Sequence, residues 1–299
     1  MRKLLVISVA VFFLVMGIEV IGFNYGIGDH PYYTISGRGF LGDGHDLTLL
    51  ISKPLSMLGD FTLPLFFNFM FAFSIYFLLK SFPKIKYPEW AFLLAPIIPL
   101  ASVYAQIFAA SLFNFALGFF FRNRYKLFPV FLTLTFLAHY WSGLFLAGIF
   151  VLYLLVFHRG NDTFKWCLIP TMLIVLFFTH VVSPSDLSFL SSNAGHVGGI
   201  NEMTVMDFLK LFSRGFVFFG LALFGLIVIY IKKMKYFIRL NIMLCVVPLL
   251  IVAVFSNSPY WNWRICYFIP LIALSSIFMS WLYEKSDRNK SYKIITKKN

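Results

Sequence analysis

Charge is what this sequence has least of: only 12% of its 299 residues are Asp, Glu, Lys or Arg, and basic residues outnumber acidic ones by 25 to 12. Candidates for acid–base chemistry are therefore few. Cysteine is equally scarce. Cys167, Cys245 and Cys266 lie in or beside apolar runs with no C-x-x-C pair, indicating buried free thiols rather than a disulfide framework or a thiolate metal site. A Walker A run, a G-x-G-x-x-G following a strand, H-E-x-x-H and G-x-S-x-G are all missing, so nucleotide chemistry has no visible seat. Hydrocarbon fills the space instead. Apolar residues make up 60% of the chain and the mean hydropathy is +0.83, against roughly 45–50% apolar usage in soluble globular domains.

The formal charge of +13 does not mark a nucleic-acid stripe, because Lys and Arg fall in short clusters between the apolar runs. That placement is the positive-inside pattern of a polytopic membrane protein. Arg2 and Lys3 precede an apolar stretch from Leu4 to Phe23, long enough to span and too long for a cleavable signal. The expected fold is all-α: a polytopic transmembrane helical bundle of about ten crossings, both termini cytoplasmic. Residues 1–283 form one transmembrane domain with a first outer loop at 24–60 and a second at 183–207, and 284–299 form a basic, disordered cytoplasmic tail. Two blocks, Trp90–Phe121 and Leu127–Phe157, would each be about 45 Å long as single helices. A hydrocarbon core of ~30 Å needs less. Each block is flanked by basic residues at both ends and is expected to split into paired short helices, turning near 102–106 and near 139–143.

The first outer loop holds Gly42-Asp43-Gly44-His45-Asp46, three ionisable residues within four positions. The carboxylates of Asp43 and Asp46 are placed to share a divalent cation, or to serve as a general base and its orienting partner; the plainer role for Asp46 is to cap the helix that follows. Leu47, Leu50, Ile51, Leu55 and Leu58 recur at helical spacing there, predicting an amphipathic surface helix bent at Pro54. His139 stands alone in an apolar block, where an ionisable side chain is a candidate by default, unless it only bonds the backbone at a shallow turn. Arg264 opens the last span beside an aromatic cluster, placed to clamp a phosphate or to snorkel. Gln106 and Glu202 fall on the same outer side, as does Glu19, roughly 24 Å along the first helix from Lys3.

Taken together, this layout resembles the GT-C superfamily of integral membrane glycosyltransferases. The resemblance is carried by a signal-anchor first helix, by Gly42-Asp43-Gly44-His45-Asp46 in an acidic first outer loop, by Leu137-Ala138-His139-Tyr140 at an outer helix turn, and by Arg264-Ile265-Cys266-Tyr267-Phe268-Ile269-Pro270 opening a late helix. It implies transfer of a sugar from a polyprenyl- or dolichyl-phosphate-linked donor to an acceptor at the outer membrane face. Asp43 would be the acceptor-activating base, supported by Asp46 directly or through a metal, and Arg264 and His139 would bind the donor phosphate. His45, Gln106 and Glu202 complete the substrate-binding set. The Asp-x-x-Asp spacing departs from the family's usual acidic pairs, and a soluble C-terminal domain of the kind some members carry is not expected in residues 1–299. A transporter or flippase for a lipid-linked or anionic substrate, a polysaccharide polymerase, and an inactive structural subunit are the competing readings; nucleic acid is not among the expected partners.

Overall fold

The computed structural model describes residues 2–21, 30–35, 45–59, 61–97, 104–157, 160–181, 215–254 and 270–296. All regular structure in these segments is helical, with no strand among the described residues. In chain order the helices are α1 (Arg2–Ile21), α2 (His30–Tyr33), α3 (Asp46–Ser56), α4 (Thr62–Leu79), α5 (Trp90–Leu94, extended by a 3-10 turn at Ala95–Ile97), α6 (Tyr104–Phe121), α7 (Phe128–Ala138) and α8 (Tyr140–Phe157). They continue as α9 (Ile169–Val181), α10 (Gly215–Ile231), α11 (Lys235–Val254) and α12 (Leu271–Thr296). A wider π-type turn at Phe164–Leu168 leads into α9.

Among the described residues four helices are long and apolar enough to cross a membrane: Lys3–Ile21, Thr62–Leu79, Tyr104–Phe121 and Tyr140–Phe157. Shorter apolar helices cover Tyr125–Ala138, Phe164–Thr179 and Val217–Ile231. The outward faces of α1 and α9 are strongly apolar, with Val6, Leu14 and Ile18 exposed on the first and Leu173, Leu176 and Phe177 on the second. A soluble monomer rarely carries apolar patches of that extent, so the surface points to a membrane protein. Inside, phenylalanine supplies most of the largest fully buried side chains. Phe120, Phe128 and Phe150 are fully buried, and the last two stack at 4.3 Å between ring centroids.

The split of the second long block falls at His139. That residue is extended (φ −160°, ψ 108°) between the last residue of α7 and the first of α8. Residues Tyr140–Gly143, expected in the turn, are already the first turn of α8. In the first block the expected turn falls partly on residues 98–103, outside the described ones. Helix α5 and its 3-10 extension cover about 13 Å before them, and Tyr104, Ala105 and Gln106 belong to α6 rather than to a turn. The tail needs correction as well. Helix α12 runs on to Thr296, so residues 284–296 are helical, not disordered. After Trp281 the sequence holds no Pro or Gly to stop the helix, and Leu282, Glu284, Lys285, Arg288 and Lys290 favour its continuation.

One end of the bundle collects the positive charge. The turn after α6 places Asn123 in the left-handed region (φ 58°), and Arg124 N–H bonds back to Phe119 at 2.9 Å in a Schellman closure. Lys233 (φ 53°) closes α10 in the same way, through Met234 N–H to Ile229 at 3.2 Å. Lys84 and Lys232 each donate to the other's backbone carbonyl. Glu284 on α12 accepts from Lys232 at 2.9 Å and pairs with Lys86 at 3.5 Å. These bonds tie the 82–89 connector, the α10–α11 turn and α12 into one clasp.

Candidate functional site

The opposite end of the bundle is organised by α3. Its buried positions are Thr48, Leu49, Ser52 and Ser56, so three hydroxyl residues at spacings of four face the protein. Leu50 is 64% exposed, and Met57 and Leu58 are exposed beside it. The expected amphipathic helix is present, and its protein-facing side carries the hydroxyl stripe beside the buried Leu49, with Leu47, Ile51 and Leu55 half-buried against the same core. Small polar groups facing other helices are ordinary in helix packing within a membrane. Thr48 Oγ1 donates to the Ala138 carbonyl at 2.7 Å. That carbonyl ends α7 and has no next turn to accept from. Ser56 Oγ accepts the Ile35 N–H at 2.8 Å, which fastens the residues after α2 to the far end of α3.

These bonds bring two of the sequence candidates together. The His45 and His139 rings lie 4.6 Å apart between centroids, tilted by 38°. His45 is half-buried and occupies the N-cap position of α3. Asp46, expected as the cap, is instead the first helical residue, and no side chain caps this helix. Its carboxylate still sits at the positive end of the helix dipole. Tyr32 and Tyr33 present their rings edgewise to His45 at 6.1 and 6.3 Å. Tyr33 also meets Tyr104 at 5.8 Å, and Tyr104 stacks on Phe67 at 5.1 Å. An aromatic chain thus runs from α2 and α3 through α6 to α4.

His139 serves as the N-cap of α8. Its Nδ1 accepts the backbone N–H of Ser142 at 3.0 Å, and Ser142 Oγ lies 2.6 Å from the same nitrogen. A backbone N–H can only donate, so Nδ1 carries no proton and the neutral ring bears it on Nε2. Any chemistry at this imidazole falls to Nε2. The plainer role, a shallow histidine bonding backbone, is therefore real, though its partner is an N–H and not a carbonyl.

Gln106 is buried on α6, two residues from Tyr104, and its Oε1 has no hydrogen-bond partner. Ser52 Oγ on α3 and Asn68 Oδ1 on α4 are in the same condition. Each such atom costs about 1–3 kcal/mol unless a water or ligand hydroxyl reaches it. Three helices around one small apolar cluster therefore each hold an unmet polar atom. Asp43, Glu202 and Arg264 lie outside the described residues, and so does the divalent-cation pairing of Asp43 with Asp46. Among the described residues no group of three or more His, Cys, Asp or Glu comes together. Cys167 is a buried free thiol and Cys245 a half-buried one.

Sequence reasoning missed Thr48, Ser142, Tyr32 and Tyr33. Thr48, Ser52 and Ser56 were legible as a hydroxyl stripe at helical spacing, and Ser142 stands at the third position after His139 where a cap bonds. The tyrosine contacts had no local signal. In comparison with known proteins, the chain matches no family model, no curated protein and no solved structure. The class that fold and site define is a helical membrane protein with a paired-histidine site at the end of the bundle remote from its basic clasp.

Proposed function

We propose that the chain is a GT-C-like membrane glycosyltransferase, moving a sugar from a polyprenyl- or dolichyl-phosphate donor to an acceptor at the outer face of the membrane. The observation that supports this most is the 4.6 Å pairing of His45 with His139, because it brings the start of α3, where Asp46 stands, to the α7–α8 break. With the basic clasp in the cytoplasm, as the positive-inside bias implies, this end of a bundle of about ten crossings faces outward. A lipid-linked donor keeps its chain in hydrocarbon and its phosphate at headgroup depth, where His139 Nε2, His45 and Arg264 would stabilise the departing lipid phosphate. Asp43 would take the proton of the acceptor hydroxyl, oriented by Asp46 or by a divalent cation bridging the two. Gln106 and Glu202 would hold sugar or acceptor hydroxyls.

Purified protein with a polyprenyl-phosphate sugar tests the reading. Asp43→Asn should abolish transfer while the protein stays folded and inserted, and undiminished transfer would remove Asp43 from the mechanism.

A further inference from the structure

At the basic end, two lysines share one indole. Lys126 Nζ lies 5.1 Å from the centroid of Trp166, and Lys165 Nζ lies 5.3 Å from the same centroid. The turn at Tyr125–Leu127 that carries Lys126 packs against the π-type turn that carries Lys165 and Trp166. The two ammonium groups are thus no farther apart than about twice the reach to the ring. Both lysines are exposed, and neither makes an ion pair with a described carboxylate. Trp166 is half-buried, and an exposed cation over such a ring gains only about 0.5–1 kcal/mol, while the two like charges repel. Arg124 stands on the same turn as Lys126. Among the described residues Asp162 is the acidic group close enough to act on the Tyr125 phenol, which burial first and then Cys167 and Asp162 hold above its ordinary value. Three cations against one carboxylate leave a local excess of positive charge.

The surface beside this pair is apolar. Phe164 and Ile169 are exposed on the turn and at the start of α9, and Val130 is exposed on α7. Met172 and Leu176 continue the stripe along α9. A tryptophan between a cationic rim and an apolar stripe marks headgroup level.

We propose that Lys126, Trp166 and Lys165 form a clamp for an anionic glycerophospholipid of the leaflet at the basic end, its phosphodiester between the two ammonium groups and its acyl chains along α9. The bound phosphate separates the like charges, and the indole seats the glycerol region. This clamp is independent of the glycosyltransferase reading, since it lies at the other end of the bundle and uses none of that site's residues.

The test uses the full chain in detergent, stripped of lipid and re-supplied with phosphatidylglycerol or phosphatidylcholine, with bound lipid counted by native mass spectrometry. Wild-type protein should retain phosphatidylglycerol in preference to phosphatidylcholine. The K126Q/K165Q variant should lose about thirtyfold in that affinity, at the strength basic residues show near an anionic surface. K126R/K165R should keep it, and Lys285→Gln, which removes a lysine over Trp281 instead, should not change it. Equal retention by K126Q/K165Q, or equal retention of the two lipids by wild type, overturns the proposal. So does displacement of the lipid by inorganic phosphate at matching affinity, which would make this a free-anion site. If the glutamine variant fails to fold by circular dichroism, the wild-type preference between the two lipids decides.

Discussion

At His139 one imidazole serves two helices, ending α7 and capping α8 through Nδ1. Asparagine also caps well, whereas alanine costs about 1 kcal/mol. His139→Ala should therefore lower the melting temperature in detergent, and His139→Asn should restore most of it. If Nε2 binds donor phosphate, neither variant should restore sugar transfer; transfer by His139→Asn at the wild-type rate would reduce this histidine to a cap. Glu89 raises a separate question at the same scale. It is 1% exposed, its Oε2 has no hydrogen-bond partner, and burial holds its carboxyl above the ordinary 4.5. An acid whose pKa rises on folding favours the folded state when protonated, and that advantage is lost as pH climbs from 4.5 through the folded value. Glu89→Gln should raise the melting temperature at pH 7, and the gain should vanish below about pH 4.5. A gain that stays constant across the titration would show that charge at Glu89 is not the cause.

Between elements, close approach is decided by glycine. A Cβ on Gly225 would lie 2.1 Å from the Leu274 carbonyl oxygen, so α10 and α12 touch backbone to backbone there. On Gly118 a Cβ would meet the Phe77 ring at 2.6 Å, a side chain that can turn aside at the cost of its stacking under Arg122. Gly225→Ala should consequently destabilise more than the roughly 1–3 kcal/mol of ordinary overpacking, and Gly118→Ala less than Gly225→Ala. Thermal unfolding of the two variants side by side checks the order. The element-scale reading from sequence fared unevenly for one physical reason. Apolar runs announce that helices exist, but α3 turns Thr48, Ser52 and Ser56 inward beside Leu49 and leaves Leu50 and Leu58 exposed, a choice set by the helices it packs against. Periodicity reports two faces without saying which solvent each one meets.

Across the described residues, the basic clasp of Lys84, Lys86 and Lys232 lies at one end of the bundle and the paired histidines, with Lys53 on the same helix α3, at the other. The orientation of that axis can be measured with single cysteines at two exposed positions, Asn123 and Met57. In intact cells a membrane-impermeant maleimide should label Met57→Cys and leave Asn123→Cys unlabelled until the membrane is opened. The reverse pattern would put the histidine site in the cytoplasm and end the case for outer-leaflet sugar transfer.

Composition alone determined that this chain is helical and apolar enough for a membrane, since no other backbone arrangement satisfies its own hydrogen bonds over such runs. The interruption at His139 was also written locally, as the one ionisable group in its block. Only the tertiary structure decided that His45 meets His139, that Thr48 bonds Ala138, and that Lys126 and Lys165 flank Trp166. Apart from the adjacent Lys165 and Trp166, those pairings join residues far apart along the chain. They depend on how helices pack side by side, and local spacing carries no record of that.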